Sequence, residues 1–440
     1  MSQNRFLMYL NALGSPFKKR TRLEFLNPDD SIAFALDNNP YKSARGGYNS
    51  NAFIQSGSLN VSLNNGQRRS ASITLANLDG TFEYAVNKIW YGSRVRLSMG
   101  LVLPDGSDFY LPQGVFYFKD PSIIRNPTQR QISYSLVDKW SYLDGSLFGN
   151  LPATYVVEVG ENIFSAMSDA LRLDKRNLSS DELASDPNWM LDPTTPVFTD
   201  YYNHLPDISY TVTTASGQKE LKTAKANETA FETRIEFGRP ISELLLDLNR
   251  TIVGWVGYDS TGAFRVDPSQ DDISDIDKPI LWTFTKNNSL LLSENTTVKN
   301  REVYNDIIIV GEDMKSAAVY GRATNFDPRS DCNVNLIGMK TFKEARAEYW
   351  NETQCRDYAS WLLKKKTILQ KSITISSSQM FHLNENSIVA VERTDLPGSP
   401  VERHLVQSFS LPIGETGQMS INATSINQLN FTVTSGSDVS

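Results

Sequence analysis

Histidine is nearly absent from this chain of 440 residues: His204, His382 and His404 are the whole supply. Imidazole is the side chain best suited to proton transfer near neutral pH, and it is the commonest metal ligand. None of the three sits in an H-E-x-x-H pattern or at zinc-type spacing from Cys332 and Cys355, the two cysteines. Each is therefore read as a surface or packing histidine. The cysteines form no C-x-x-C pair and cannot make a disulfide framework. They are expected to be small buried residues, Cys355 on a helix. No G-x-S-x-G elbow marks a nucleophilic serine, and neither G-x-x-x-x-G-K nor G-x-G-x-x-G offers a phosphate loop. The run Asp271-Asp272-Ile273-Ser274-Asp275-Ile276-Asp277 offers the clustered oxygens that calcium wants. It lacks the glycine and closing glutamate of an EF-hand loop and is read as a solvated loop. Carboxylate pairs for glycoside hydrolysis are defined by their separation in space, which sequence does not give. No catalytic, cofactor-binding or metal-ligating residue is assigned, no cofactor is expected, and the chain is not expected to be an enzyme.

What the sequence does show is strands. Leu59, Val61 and Leu63 alternate with Asn60 and Ser62, and Asn64-Asn65-Gly66 turns the chain. Ala71, Ile73 and Leu75 alternate with Ser72 and Thr74. Val95 to Leu103 follows with Arg94, Arg96 and Ser98 on its other face, then a Pro104-Asp105-Gly106 turn. Ile132, Tyr134 and Leu136 close the set. Period-two patterning puts one face of each strand on a core, and Asn-Gly and Asp-Gly are strong hairpin signals. The other face carries Ser, Thr, Asn or Arg, which suits solvent or another subunit. The triplets Asn60-Val61-Ser62 and Asn422-Ala423-Thr424 fall inside such strands and are not read as glycosylation sites.

Bulk properties narrow the class. At about 100–200 residues per domain, the length implies two to four domains. With 40% hydrophobic and 21% charged residues, the chain has enough apolar side chain to fold. Its formal net charge of −7 argues against a nucleic-acid binder over the whole surface, though not against a local basic patch. Met1 to Leu13 is mixed rather than a basic stretch before an apolar run, so no secretory leader is read. No run approaches the roughly 18 apolar residues of a membrane helix. A soluble chain made in a cytoplasm, with no stable membrane insertion, is expected.

Along the chain, residues 1 to 57 read as irregular, with turns at Asn27-Pro28-Asp29-Asp30 and Asn38-Asn39-Pro40 and a short strand at Ile32, Phe34 and Leu36. Helical spacing of Ile163, Phe164, Met167, Ala170 and Leu171 predicts a helix from Glu161 to Leu173. Asp174 to Asn203 reads as a long surface excursion, Ile208 to Thr214 as a strand, and Lys219 to Thr233 as weakly patterned. Pro240 opens a second helix, followed by a hairpin over Ile252–Val266. Val303 to Val310 reads as a strand. Thr341 to Lys366 reads as a helix, because Thr341 with Glu344 fits a capping box. Strands are expected at Ile373 and Ile375, Ile388 to Val391, His404 to Leu411 and Met419 to Ala423, with a frayed end over Thr434 to Ser440.

This strand order resembles that of phage baseplate and tail hub proteins. The stretch Ala71 to Gly80 is similar to one near the start of that family. So are Gly92 to Leu97, Gly114-Val115-Phe116, and Ile132 to Leu143 with Val137-Asp138-Lys139-Trp140. Val303 to Gly311 resembles the entry to the family's later β-domain, and Met419-Ser420-Ile421 its last strand. The resemblance covers about two-thirds of the chain and leaves 150 to 300 matched by position alone.

The resemblance implies a fold that is mainly β, with two tail-tube-like β-barrel or sandwich domains flanking a mixed α/β insertion. The expected boundaries are 1–147, 148–300 and 301–440, the last carrying helix 341–366. It implies a virion structural protein: a homotrimer at the tail tip that joins the hexameric tail tube or distal tail protein to a threefold spike or fibre protein. Its channel would meet passing DNA transiently, and the net negative charge, tripled in a trimer, would limit the channel's grip on phosphate. Trp189, Tyr201 and Tyr202 in the long excursion carry the alternative of a receptor- or carbohydrate-binding tail protein. A cell-wall hydrolase is the third class, with no motif behind it.

Overall fold

A computed structural model describes residues 3–27, 31–38, 54–77, 80, 82–83, 93–126, 129–147, 149–172, 196–198, 208–213, 218–224, 228–229, 232–252, 254–267, 279–285, 291–299, 303–312, 318–328, 330–346, 349, 352–366, 370–394, 396–414 and 417–425. The acidic run 271–277, His204, Trp189, Tyr201, Tyr202, most of the excursion and the expected frayed end lie outside them.

The first part of the chain forms helix α1 (Gln3–Leu13) and strands β1 (Lys19–Leu26), β2 (Ile32–Asp37), β3 (Ile54–Ser62), β4 (Arg69–Ala76), β5 (Arg94–Val102), β6 (Asp108–Arg125) and β7 (Arg130–Asp138). The middle carries β8 (Tyr155–Val157), α2 (Ile163–Arg172), β9 (Val197–Phe198), β10 (Ile208–Thr213), β11 (Lys219–Ala224), β12 (Thr233–Ile235), α3 (Ile241–Ile252), β13 (Trp255–Tyr258) and β14 (Phe264–Asp267). Then come β15 (Ile280–Phe284), β16 (Leu291–Lys299), β17 (Asp306–Glu312), β18 (Ala318–Thr324), α4 (Val334–Ile337), β19 (Thr341–Ala345) and α5 (Glu352–Lys366). The last strands are β20 (Gln370–Ser377), β21 (Ile388–Glu392), β22 (Val401–Ile413) and β23 (Met419–Ser425). With 51% strand against 17% helix among the described residues, the fold is mainly β with an α+β insertion.

The two β-rich ends of the chain are one sheet. Its strands run β16-β20-β23-β22-β3-β4-β7-β6-β5-β1-β2, with β21 joining β22 and β15 joining β21. The seam is the antiparallel pair β22–β3, where Phe409 faces Val61 and Leu411 faces Leu59. All four side chains are buried in a core that draws on both ends of the chain. Because side chains alternate across a strand, that register puts every apolar residue of the seam on the same side. Phe25 stacks on Phe34 and Phe118 in the same core.

The described residues among 1 to 57 carry more regular structure than their sequence suggests. Tyr9 and Leu13 of α1 are buried against the sheet, and β1 pairs β5 from Lys19 to Leu26. The expected helix 341–366 is in fact a strand followed by a shorter helix. Thr341 pairs in parallel with Asp306, and its hydroxyl donates to the Asp306 carboxylate at 2.7 Å. Tertiary pairing outweighs the local capping pattern there, and the helix starts at Glu352. Helix α5 packs on the β18-β17-β19 sheet through Cys355, Ala359, Leu362 and Leu363. Lys219 to Ala224, part of a stretch read as weakly patterned, is strand β11, paired with β10. Helix α2 begins where expected, its first turn capped by Asn162, whose side-chain oxygen accepts from the N–H of Phe164 and Ser165. Helix α3 begins just after Pro240. Among the described residues, no helix is long and apolar enough to cross a membrane.

Candidate functional site: a hydroxyl-lined sheet face

The face of the large sheet turned away from the core is paved with small uncharged polar side chains, and the registers align them into rows. One row runs Asn295, Thr374, Asn422, Ser408, Ser62 across β16, β20, β23, β22 and β3. The next runs Ser293, Ser376, Ser420, Ser410, Asn60, Ser70. A third passes from Ser58 to Ser72 and Ser135, and a fourth from Ser56 to Thr74 and Ser133. Asn60, Ser72, Ser135, Thr374, Ser420 and Asn422 are exposed. The uncharged rows end at β7: on the same face, β6 carries Lys119 opposite Ser135, β5 carries Arg94 and Arg96, and β1 carries Glu24 opposite Arg96.

The paving is bonded to itself. The hydroxyls of Ser58 and Ser72 lie 3.2 Å apart, and those of Thr74 and Ser133 2.9 Å. Thr374 donates to the Asn422 side chain at 2.9 Å, which in turn donates to Ser408 at 3.2 Å. Gln131 reaches Gln55 across the rim of the same face. Directly opposed Thr and Ser pairs of this kind add modestly to sheet stability. The result is a hydroxyl-lined surface from β16 to β7 that spans both ends of the chain and is uncharged along its rows.

Behind it, a buried cluster of charges ties the sheet to the middle region. Asp138 ends β7 wholly buried. One carboxylate oxygen accepts from the N–H of Arg68 and of Arg69, each at 2.8 Å, and the other from Trp140 at 3.1 Å. Burial pushes its pKa up to about 7, against the pull of those N–H groups and of the Arg69 charge. The Arg69 guanidinium donates to the Gln113 carbonyl at 2.9 Å, to the Asn384 side chain at 3.0 Å and to Glu385. Arg68 lies 3.6 Å from both Asp267 and Glu385. Gly66 N–H donates to Val256 O at 2.9 Å, and Lys139 Nζ to Gly262 O at 3.1 Å. A Cβ on Gly257 would sit 2.5 Å from Arg68 Nε, so that close approach requires glycine. Segments 64–69, 255–267 and 384–385 are thus locked at one point.

The sequence's chemistry candidates disperse. His382 packs beneath α1, and burial pushes its pKa down to about 4. His404 is buried at 1% exposure on β22. Cys332 and Cys355 are both buried, and burial raises both thiols, Cys355 to about 11, which leaves them unreactive. Among the described residues no group of three His, Cys, Asp or Glu side chains is placed to hold a metal. The hydroxyl rows could be read strand by strand from their alternation. Their joining into one face depends on the β22–β3 seam, which no local pattern announces.

No family model matches the sequence, and no curated protein matches it. Solved structures do. The tail protein from Neisseria meningitidis MC58 superposes with a TM-score of 0.56 at 9% identity, over 93% of this chain and 97% of that one. The 43 kDa tail protein of prophage MuSo2 from Shewanella oneidensis gives 0.52 at 10% identity, over 93% and 98%. A chain of the half-lidded Francisella PdpA-VgrG complex gives 0.50 at 9% identity, over 98% of this chain and 61% of that one. At such identities the likeness is one of architecture: the chain has the fold of phage tail proteins, as its strand order led one to expect.

Proposed function

We propose that the chain is a virion structural protein, a homotrimeric hub at the tail tip or baseplate that joins the hexameric tail tube to a threefold spike or fibre protein. In this reading it assembles in the host cytoplasm, carries out no catalysis, and lines the channel through which DNA leaves. The two tube-like regions, 1–147 and 301–440, flank the mixed region 148–300. Strands β15 and β16, at the end of that mixed region, complete the second sheet half.

The observation that carries the reading is the neutral hydroxyl face. It is continuous across strands from both ends of the chain, as a wall shared by two tube-like halves must be. Along the rows from β16 to β7 the surface carries no charge, which suits contact with water and with something that passes without staying. The rigid lock at Arg68, Arg69 and Glu385 suits a part that bears load. Trp189, Tyr201 and Tyr202, on which the carbohydrate-binding alternative stood, lie outside the described residues, and no described feature adds to it.

Class-averaged negative-stain images of the purified full chain test the proposal. Threefold rings with a central hole of tube dimensions are the expected outcome. Compact single-chain particles with no ring, at every concentration tried, would overturn it.

A further inference from the structure

We infer that the hydroxyl face lets a polyanion pass by neutrality, and not by the repulsion that the chain's net negative charge first suggests. The inference rests on the channel reading above and names what the wall does to the duplex inside it.

Protein affinity for duplex DNA comes largely from cations that replace condensed counterions on the phosphates, about one counterion per phosphate neutralised. Among the described residues, the rows from β16 to β7 offer no cation; the cations of this face begin on the adjoining strands, with Lys119 opposite Ser135 on β6 and with Arg94 and Arg96 on β5. The rows offer no carboxylate either. That matters, because a carboxylate wall does more than repel: in the presence of Mg²⁺, carboxylates and phosphates share the ion, and a repelling wall becomes a bridged one. A neutral wall has neither failing. Its effect on a passing duplex is therefore independent of salt and of divalent cations.

The remaining means of grip is hydrogen bonding from hydroxyl to phosphate. Here the mutual bonding of the face matters. Ser58 is bonded to Ser72, Thr74 to Ser133, and Thr374 to Asn422. A hydroxyl that turns to a phosphate must give up its cross-strand partner, so the exchange gains little. The sheet beneath holds these side chains in register, which keeps the pairs made.

The test reads the wall itself. Cysteine is placed at Asn60 or Asn422, both exposed on the face, in the full chain, whose own cysteines are buried. The rate of maleimide labelling is measured with and without a short linear duplex, across a salt series and with added Mg²⁺. The inference expects no protection by DNA under any of these conditions. In the same background, Ser72→Lys with Ser135→Lys and Ser420→Lys is expected to create protection of several-fold that fades as salt rises, following the counterion slope. The same charge added elsewhere, through Phe237→Lys, Leu336→Lys and Val401→Lys, is expected to leave Asn60→Cys and Asn422→Cys unprotected. Protection of the neutral wall at low salt or with Mg²⁺ overturns the inference. So does a lysine wall that stays unprotected, since charge would then not be what the face lacks. Failure of the channel reading would appear in the particle images and leave these labelling rates unchanged, so the two can be told apart.

Discussion

The Tyr9 hydroxyl lies 3.0 Å from Nδ1 of His382, a residue 373 positions away, and accepts from the N–H of Phe381 at 2.9 Å. Burial holds the imidazole's pKa down to about 4, so the ring is neutral near pH 7, and one of the two groups donates to the other. Tyr9 thereby fastens α1 to the far end of the chain.

Replacing Tyr9 by Phe keeps the ring stacked on Phe109 but orphans a buried N–H and a ring nitrogen. We expect a loss of about 1–3 kcal/mol in unfolding free energy, measured by denaturant titration, with ring formation retained. A variant as stable as the wild type would show that the bond carries no net stability.

Two buried groups give opposite pH slopes. For Asp138 the folded pKa, about 7, is above that of the unfolded chain, so the folded state binds the extra proton. Its contribution is greatest near pH 4 and is lost as pH rises through 7. For His382 the folded value, about 4, is below the unfolded one, near 6.5. Its contribution is present above 6.5 and is lost as pH falls toward 4. Asp138→Asn should leave a stability curve that rises with pH over this window, and His382→Gln one that falls. Chemical denaturation at successive pH values reads both, and unchanged slopes would assign the titration elsewhere.

The Arg69–Glu385 pair is buried at both ends, with side chains 0% and 4% exposed. Breaking one end leaves a charge with no water to receive it. Arg69→Met or Glu385→Gln alone should cost about 3–5 kcal/mol, and the double variant clearly less than the sum. Strict additivity in the cycle would mean that the two do not interact.

A Cβ on Gly321 would lie 2.1 Å from the backbone N of Arg356, so β18 and α5 touch only because this residue has no side chain. Gly321→Ala should push the helix off its sheet and lower the melting temperature by several degrees. Calorimetry measures it. Gly106→Ala, at a turn with open space around it but positive φ, is the milder comparison, expected to cost about 1 kcal/mol.

Much of this architecture could be read in the residues, and the misreadings have physical causes. Leu59, Val61, Ile73 and Leu75 alternate cleanly because one side of each strand is core and the other water. Helix α1 was missed: Phe6, Tyr9, Leu10 and Leu13 have helical spacing, but the polar residues among them made the segment read as irregular. Thr341 and Glu344 imitate a helix start, and the capping pattern is genuine as local chemistry. What overrides it is Asp306, whose carboxylate collects Arg322, Thr324 and Thr341 from three directions. Those donors together hold its pKa below the usual range despite burial. The lock at Arg68 and Arg69 was invisible because adjacent arginines normally mark an exposed surface, and two of their partners, Asn384 and Glu385, are more than 300 positions distant. Sequence shows which side of a strand is wet. It does not show which strand lies beside it.

The β22–β3 seam also sets a timetable for synthesis. Strand β3 leaves the ribosome before β4 to β21, and its partner at Val401–Ile413 only after them. Through most of translation the inner edge of β3 has backbone groups waiting for a strand that does not yet exist, and such an edge is a template for the wrong neighbour. Pairing across so many residues is slow even once the chain is complete. A chain cut short before β22 would therefore present an open edge, and is expected to aggregate or be degraded. The seam makes synthesis through β22 a condition for a closed β3 edge.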